Sequence, residues 1–507
     1  MPEYRVVEGL TTGLRRDSRQ NRNEQGLVQY LNLIATEWGA KQIPAITYPF
    51  SSPALSVAWP HPQLLKGDYN HILAGPTTLY QPAQLSGSLS ALSFAGGATL
   101  TTSTTPWRLA SFQKDIWFLA NTTNFVYRIP SNITNLAAIA SSAYSVATVA
   151  NYGGRLCLGG LSGTLPAKLL AFFEEWKELD HAHPITIGEN TDLDTNWIVY
   201  SKVGGGARDV PFLDFMSMFD EYGGNTISAD LKSDMNVVIR DSLESGSIGF
   251  FPLRSEGSIR HLLPIGNGLM AYTATGVSYI EWGEGGLIED VRSNVGIDSD
   301  CYVNGDLKQH LYIDKTGDLN IVGPRGELER LGYGEFLAIM DDDIMISLDE
   351  QERFWMICDG DEGYTYSRTG LTRTDALRAT SFMSQAAGSY LGTIGIPVAE
   401  AGTPDAILRT DTFDGGFRGV HEVVYVRIAA TDTIGWTVAV AWRMNKNDSF
   451  TTTSAVAFDD RGIARVKVSG IEFQLILTAA DRTLADLERI EIEMRQDGKK
   501  KLRQLIA

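Results

Sequence analysis

Hydrophobic and polar residues alternate along most of the 507-residue chain in short runs that are interrupted by turn residues. Alternation with a period of two is typical of β-strands that bury one face. Two stretches, residues 164–180 and 211–222, follow a helical period instead. Their apolar positions are Leu169, Phe172, Phe173, Trp176 and Leu179 in the first, and Phe212, Phe215, Met216 and Phe219 in the second. The pattern predicts an all-β protein with helical or loop insertions near residues 164–235.

Pairs of strands recur along the chain. Each copy begins with a small or charged residue, followed by a strand, a short turn and a second strand. The copies are KDIWFLANTTNFVYRI from Lys114, GGRLCLGGLSG from Gly153, GNGLMAYTATGVSYIEW from Gly266, GDLKQHLYIDKTGDLNIVG from Gly305 and DDIMISLDEQERFWMICDG from Asp342. Their starts lie about 35–40 residues apart, except for one gap that TNWIVYSKVGG from Thr195 partly fills. This period predicts a β-propeller, with an unrelated β-sandwich or β-helix as the alternative.

The chain changes in character after residue 404, where six strands follow one another through short links. In the last of them, Ile490, Ile492 and Met494 alternate with Glu491, Glu493 and Arg495, which predicts one buried and one solvent-facing side. We therefore expect a β-sandwich-like platform domain at residues 397–507. The propeller is expected at residues 76–396. Residues 1–75 are expected to form a polar arm and platform strands, with a turn at Trp38–Gly39.

Composition and the absence of known motifs argue against several classes of protein. The net charge of −18 argues against a protein that wraps duplex DNA, which needs dense Lys and Arg. Three distant cysteines do not form a disulfide framework or a zinc knuckle. No signal-peptide or membrane-spanning run is evident, and no motif of a hydrolase, a phosphate-binding loop or a metalloprotease occurs. His181 and His183 are expected to lie in a polar turn, and DGDEG at 359–363 in a turn between strands rather than in a calcium loop. We expect no enzymatic activity and no cofactor.

Three groups of residues are candidate functional sites. The first, an acidic cluster, is either a solvated surface or a channel wall that keeps DNA from adhering. The second, an apolar loop near residue 215, either covers the end of a blade or constricts a channel. The third, an arginine-rich arm, is expected to contact an adaptor protein or a neighbouring subunit. The members are Asp341, Asp342, Asp343, Asp359, Asp361 and Glu362 for the wall, Phe212, Phe215, Met218 and Phe219 for the loop, and Arg15, Arg16, Arg19 and Arg22 for the arm. A basic segment, Arg495 to Arg503, either docks on an acidic partner or is a solubilising end.

Several of these segments together resemble a known family. They are the arginine-bearing arm, NLIATEWGAKQIP, hairpins such as KDIWFLANTTNFVYRIP, the WIVYSKVGG strand, and RHLLPIGNGLMAYTATGVSYI ahead of the C-terminal β-domain. This arrangement resembles the tail nozzle, or tail tubular, proteins of short-tailed bacteriophages. The resemblance covers most of the chain but consists of loose strand and turn patterns, so it assigns no role to any single residue.

The resemblance implies a β-propeller joined to platform domains and assembled as a hexameric ring in the phage tail. Such a ring is expected to adjoin a tail adaptor protein, to anchor fibres or spikes, and to hold and then conduct genome DNA without binding a specific sequence. The expected location is the virion, after assembly in the host cytoplasm. Two alternatives stay open: a propeller that binds a receptor or glycan, and a glycoside hydrolase for which the sequence nominates no carboxylate pair.

Overall fold

The computed structural model of the chain describes residues 144–163, 195–204 and 249–496, the last with gaps at 256, 285, 339–343, 351–352, 359–362, 375–376, 384–392, 401–404, 415–418 and 481–485; before residue 144 it describes separate strands and short segments. Nearly every element in these ranges is a strand. Helical turns occur at Asp300–Tyr302, a 3₁₀ turn, and at Gly334–Leu337. The predicted helices at 164–180 and 211–222 lie outside the described residues. No helix within the described ranges is long and apolar enough to cross a membrane.

The chain folds into two compact units. One unit, which we call the two-sheet unit, consists of residues 1–47, 339–380 and 385–507; the other, the propeller unit, consists of residues 48–338 and 381–384. The chain therefore leaves the two-sheet unit after Thr47 and re-enters it at Ile339, so that the propeller unit is an insertion in its sequence. The strands that precede the insertion are β1 (Glu3–Val6), β2 (Leu27–Leu31), β3 (Leu33–Thr36), β4 (Gly39–Gln42) and β5 (Ile46–Thr47).

The propeller unit is a series of antiparallel meanders. Its first sheets contain β6 (Phe50–Ser52), β7 (Gln63–Lys66), β8 (His71–Ala74), β9 (Leu79–Pro82) and β10 (Gly87–Ala91), then β11 (Arg108–Phe112), β12 (Ile116–Ala120), β13 (Tyr127–Ile129) and β14 (Ala137–Ala138). The following strands are β15 (Tyr144–Ser145), β16 (Thr148–Tyr152), β17 (Arg155–Gly159), β18 (Ser162–Gly163), β19 (Trp197–Tyr200) and β20 (Gly249–Pro252). The last are β21 (Ile259–Ile265), β22 (Gly268–Thr273), β23 (Val277–Gly283), β24 (Gly286–Ser293), β25 (Val303–Gly305), β26 (His310–Ile313), β27 (Leu319–Val322) and β28 (Leu328–Gly332).

Four-stranded sheets in the orders β11–β14, β16-β17-β19-β20, β21–β24 and β25–β28 are the blades of a β-propeller. The first strands of successive blades contact one another, β11 with β16 and β16 with β21, as the inner strands of a propeller do. Between the blades that begin at β16 and β21 lies a core cluster of buried residues: Ala150, Tyr152, Cys157, Ile198, Tyr200, Leu253, Ile259, Leu262, Leu269, Ala271 and Ile280. The predicted all-β propeller is confirmed.

The two-sheet unit contains the β-sandwich-like part of the fold. Its remaining strands are β29 (Met345–Asp349), β30 (Phe354–Cys358), β31 (Gly363–Tyr366), β32 (Leu371–Thr374), β33 (Leu377–Met383), β34 (Thr393–Glu400), β35 (Ala406–Thr410), β36 (Phe413–Asp414), β37 (His421–Ala430), β38 (Trp436–Arg443), β39 (Thr451–Thr452), β40 (Val456–Ala457), β41 (Ile463–Ala464), β42 (Val468–Gly470), β43 (Glu472–Ala479) and β44 (Leu487–Gln496). An eleven-stranded sheet follows the order β29-β30-β31-β32-β2-β35-β43-β38-β39, with β36 paired to β43 and β40 to β38 beside this path. A seven-stranded sheet follows the order β3-β4-β44-β37-β41, with β1 paired to β44 and β42 to β37.

Most predicted hairpins are present as written. The segments from Gly266, Gly305 and Asp342 form the pairs β22–β23, β26–β27 and β29–β30. The segment from Gly153 differs from the prediction, because its two strands do not pair with each other. Strand β17 pairs with the preceding strand β16, and β18 pairs with β15. Gly153 and Gly154, with φ of 58° and 72°, form the turn between β16 and β17, a conformation that glycine adopts without strain.

The domain division differs from the predicted boundaries at residues 75 and 397. The β29–β32 meander was expected within the propeller, but β32 pairs with β2, and β2 pairs with β35, so residues 339–380 group with the C-terminal strands. One detail of the C-terminal strands is also corrected. Glu493 was expected on a solvent-facing side and is only 3 % exposed; it lies between Tyr4 of β1 and Tyr425 of β37, and its carboxylate accepts a 2.9 Å hydrogen bond from Nε of Arg495.

Candidate functional site

A groove lies between the blade β21–β24 and the blade β25–β28 of the propeller unit, with a cavity volume of about 510 Å³. One wall is the face of β23 and β24 that turns toward the next blade, where Tyr279 pairs with Asp290 and Glu281 with Ile288. The opposite side is formed by the turn after β27, and the end by the turn between β21 and β22. The lining residues are Gly266, Asn267, Tyr279, Glu281, Ile288, Asp290, Arg292, Pro324 and Arg325.

Two glycines allow the turns to meet so closely. Gly266 has a φ of 52°, and a Cβ atom there would collide with the carbonyl oxygen of Pro324. Gly326 has a φ of 72°, and its Cβ would lie 2.6 Å from Cδ2 of Tyr279. Because both positions combine a left-handed backbone with backbone or ring contact, a larger side chain would push the turns apart and reshape the groove.

One basic side chain of the groove is fixed by several contacts. The guanidinium of Arg292 lies 3.1 Å from the carboxylate of Asp290 and 5.3 Å from the centre of the Tyr279 ring, and it also donates a 3.4 Å hydrogen bond to the carbonyl of Arg325. The pKa of Tyr279 is raised, first by burial and then by the carboxylate of Glu281. The Arg292 guanidinium acts in the opposite direction. Arg292 thus joins the two blades across the floor of the groove.

Two charged side chains of the groove are, by contrast, available to a ligand. In the part of the chain that the structure describes, the carboxylate of Glu281 and the guanidinium of Arg325 form no ion pair or side-chain hydrogen bond. The backbone N–H of Arg325 donates to Glu327, and this bond lowers the pKa of the Glu327 carboxyl. Ile288, 51 % exposed, lies opposite Glu281. The groove therefore offers an acceptor, a donor and an apolar side chain.

The opposite face of β23 packs against aromatic residues of the preceding blade. Trp282 stacks on Tyr152, with ring centres 6.5 Å apart, and meets Tyr200 edge-on at 5.2 Å. The guanidinium of Arg155 lies 4.5 Å above the Trp282 ring and donates to the carbonyl of Ser201. The hydroxyl of Tyr152 donates a 3.0 Å hydrogen bond to the carbonyl of Asn267, and burial raises its pKa to about 12. Through the bond from Tyr152 to Asn267, this cluster contacts the turn that forms the end of the groove.

The charged groups of the groove are the carboxylates of Glu281 and Asp290 and the guanidinium groups of Arg292 and Arg325. Its lining contains no serine, cysteine, threonine or histidine that a neighbouring base could activate. Among the described residues, no three His, Cys, Asp or Glu side chains are arranged to bind a metal ion. The three cysteines, Cys157, Cys301 and Cys358, are buried thiols. A polar ligand with both hydrogen-bond donors and acceptors matches the charges that the groove presents.

The three candidate groups named from the sequence lie outside the described residues. These are the acidic positions 341–343, 359, 361 and 362, the apolar positions 212, 215, 218 and 219, and the arm positions 15, 16, 19 and 22. Between these acidic positions along the chain, Asp349 ends strand β29 and is only 4 % exposed, so its carboxylate does not belong to a solvated surface. His181 and His183 also lie outside the described part of the chain.

The amino-acid sequence does not indicate a groove between these two blades. The alternation of GVSYIEWG and GLIEDVRS predicts two strands and places Tyr279 with Glu281 on one side. It does not indicate which side meets the next blade, because that depends on how consecutive sheets pack. A turn motif with glycine at residue 326, next to charged residues, was the only local signal.

Comparisons with known proteins add little to this description. No family model matches the chain, and no curated protein does. Among solved structures, the WD40 domain of Pan2 from Neurospora crassa covers 66 % of this chain and 88 % of its own, with 7 % identity and a TM-score of 0.37. YCF48 from Cyanidioschyzon merolae covers 73 % and 97 %, with 9 % identity and a TM-score of 0.31. The propeller assignment stands on the strand order of the blades themselves.

Proposed function

We propose that the protein is a structural component of a phage virion that forms the distal tail nozzle, a ring of identical copies that retains and then conducts genome DNA. In this role it anchors fibres or spikes, adjoins a tail adaptor protein and catalyses no reaction. The observation that carries the proposal is the insertion of a β-propeller into a second all-β unit. This is the combination of propeller and platform that the sequence resemblance implies.

The charge of the chain is compatible with a conduit. Duplex DNA carries one negative charge per ~1.7 Å of axis, so a lumen rich in Lys and Arg would hold it and slow its passage. A chain with a net charge of −18 avoids such binding. Within this proposal, the candidates for a constriction are Phe212, Phe215, Met218 and Phe219, and those for the lumen wall are Asp341, Asp342, Asp343, Asp359, Asp361 and Glu362. The arginines from Arg15 to Arg22 are candidates for the contact with the adaptor.

The mass of the native assembly tests this function. We expect native mass spectrometry of the purified protein, alone or mixed with the adaptor protein of the same virion, to give a closed ring, and electron microscopy to show an axial channel. A protein that stays monomeric at high concentration, with and without the adaptor, would exclude a nozzle.

The groove between the blades supports a second candidate function, the binding of a glycan or another polar receptor group. Glu281 and Arg325 face the cavity without partners among the described residues, as the acceptor and donor of a polyhydroxylated ligand would. A glycan array probed with the wild-type protein and with Glu281→Gln distinguishes this function. Binding that the substitution abolishes supports it, whereas an array without any signal counts against it.

A further inference from the structure

One end of the seven-stranded sheet exposes a tryptophan to solvent. Trp38, in the turn between β3 and β4, is 81 % exposed, and Ile434, in the turn between β37 and β38, is 68 % exposed. Tryptophan is strongly buried on average in folded proteins, and exposed aromatic side chains are enriched in binding surfaces. An exposure of this size therefore points to an interaction surface.

The fold brings these two turns to the same place. The backbone bridge between Ala40 and Leu487 holds the Trp38 turn against the start of β44. The backbone N–H of Thr431 donates a 3.1 Å hydrogen bond to the carbonyl of Asp486, the residue immediately before β44. Both exposed side chains thus flank the beginning of the same strand.

The backbone of the turn at Trp38 is held by hydrogen bonds and close packing. The hydroxyl of Thr36 accepts a 3.3 Å hydrogen bond from the backbone N–H of Trp38 and donates a 3.0 Å bond to the carbonyl of Gly39. Gly39, with a φ of 136°, sits so close to the carbonyl oxygen of Leu487 that no Cβ atom fits. Because the backbone of the turn is already fixed, only the two side-chain torsions of Trp38 have to be ordered on binding, which limits the entropic cost.

The surroundings of Trp38 are acidic. We define the acidic end as the turns 36–39, 431–435 and 459–462 together with residues 486–489. The 459–462 turn belongs to it because Thr433 donates a hydrogen bond to the carbonyl of Asp459. Carboxylates outnumber guanidinium groups there; they are Glu37, Asp432, Asp459, Asp460, Asp486 and Glu488, against Arg461 and Arg489. A partner for this surface must be basic and must offer apolar groups to Trp38.

We propose that the acidic end binds the basic segment 495–506 of a second copy of this chain. Its first cation, Arg495, is paired with Glu493 in β44, and beyond β44 the segment contains Lys499, Lys500, Lys501 and Arg503, interleaved with Leu502, Leu505 and Ile506. Its positive charges complement the carboxylates, and its apolar residues suit Trp38 and Ile434. The arginine-rich arm is a weaker match, because residues 15–26 contain no large apolar side chain.

The direction of β44 favours a segment from another copy. This strand has 10 residues, and at ~3.3 Å per residue its last residue, Gln496, lies about 30 Å from Leu487 at the acidic end. Arg503 is seven residues beyond Gln496 and reaches at most about 25 Å even in a straight chain. To reach the acidic end of its own copy, the segment would therefore have to fold back along nearly the whole of β44 in a fully extended conformation, whereas the segment of a second copy has no such constraint.

Binding between opposite ends of two copies is a head-to-tail contact, which closes into a ring when the rotation between the copies permits. The inference rests on the proposed function in one respect: the contact between the acidic end and the basic segment is one of the contacts that hold neighbouring copies together in the proposed ring. Its first test is independent of ring formation, so the two can fail separately.

The first experiment measures the fluorescence anisotropy of a labelled peptide with the sequence of residues 495–507 mixed with the full-length protein. We expect saturable binding that weakens at least tenfold on Trp38→Ala and weakens between 50 and 500 mM NaCl because salt screens exposed charges. Leu307→Ala, which removes a 59 % exposed apolar side chain from the propeller unit, is the matched control and should leave binding unchanged.

Three results of this experiment would overturn the inference: no binding, binding that Trp38→Ala leaves intact, or equal binding of a peptide in which Lys499, Lys500 and Lys501 are replaced by Gln. A peptide of residues 11–24 serves as a competitor. If it binds more tightly than the basic segment and depends on Trp38, the arm is the occupant and the proposal is wrong.

A charge exchange in the full-length protein is the second experiment. One variant carries Glu37→Lys with Glu488→Lys, and the other carries Lys499→Glu, Lys500→Glu and Lys501→Glu. We expect neither to associate alone and their mixture to associate, as measured by sedimentation velocity. If the Trp38→Ala variant forms the same rings as the wild-type protein, this contact is refuted but the proposed nozzle is not. If the protein binds the peptide but never forms rings, the contact is supported and the nozzle is refuted.

Discussion

At the scale of single residues, the propeller unit buries a histidine that shapes its response to pH. His310 is fully buried; its Nε2 lies 3.1 Å from the carbonyl oxygen of Pro264, and its Nδ1 lies 2.9 Å from the hydroxyl of Tyr272. This arrangement fits a neutral ring that donates through Nε2 and accepts through Nδ1. Burial lowers the pKa of His310 to about 4, although the bond to Pro264 acts in the opposite direction.

This histidine makes acidification destabilising. Between pH 6.5 and about 4 the unfolded chain protonates His310 while the folded chain does not, so the free energy of unfolding falls as the pH drops, by up to about 1.4 kcal/mol per pH unit. Urea unfolding of the wild type and of His310→Gln at pH 7, 6, 5 and 4 measures this. We expect the variant to lose less stability over that range; parallel pH profiles would contradict the assignment.

Two glycines of the two-sheet unit permit a test of close packing. Gly39 and Gly419 both have a positive φ, 136° and 151°. A Cβ on Gly39 would strike the carbonyl of Leu487, whereas a Cβ on Gly419 would meet, among the residues that the structure describes, only the side-chain nitrogen of Gln496 at 3.7 Å. We expect Gly39→Ala to cost about 3 kcal/mol and Gly419→Ala about 1 kcal/mol. Chemical unfolding checks both values, and equal losses would mean that the collision is relieved elsewhere.

At the scale of elements, adjacent blades are joined by a buried hydrogen bond. The hydroxyl of Thr148 on β16 accepts a 3.0 Å bond from the backbone N–H of Leu262 on β21, and Thr148 is fully buried. Replacing it by valine keeps the shape but leaves that N–H without an acceptor, since water does not reach it. Such an unsatisfied buried donor costs about 2 kcal/mol.

Thr148→Ser is the matched control, because serine keeps the acceptor and loses only a methyl group. We expect Thr148→Val to lower the thermal unfolding midpoint clearly more than Thr148→Ser does. The opposite order would mean that packing of the methyl group, rather than the hydrogen bond, joins β16 to β21.

At the scale of the whole molecule, the structure divides the chain differently from its sequence. Strand β35 pairs with both β2 and β43, and β44 pairs with β1, β4 and β37. The C-terminal strands thus depend on strands from the first 47 residues. A fragment of residues 397–507 would leave two of its strands with unpaired edges, which promotes aggregation or unfolding.

This dependence gives a prediction about fragments. We expect residues 397–507 alone to give a poorly dispersed proton–nitrogen NMR spectrum, and a chain that joins residues 1–47 to 339–507 through a flexible linker to give a dispersed one. A well-folded 397–507 fragment would show that the sequence-based boundary is sufficient for folding.

The sequence by itself determined the features that depend on neighbouring residues. The alternation of GLMAYTATGVSYIEW predicted β22 and β23, and the turn at Trp38–Gly39 was placed correctly between β3 and β4. These are local properties, since the side chains of a strand alternate with a period of two and a turn is set by a few residues. The all-β class and the propeller followed from repeating such units.

The tertiary structure alone decided which strands from distant parts of the chain meet. Asn32, with a φ of 61°, lies where the chain passes from β2 in the eleven-stranded sheet to β3 in the seven-stranded sheet, and its side-chain amide donates to the carbonyl of Asp405. Pairing across hundreds of residues leaves no periodic signal in the sequence. For the same reason, the groove beside Tyr279 and the acidic end around Trp38 became visible only when separate turns were seen side by side.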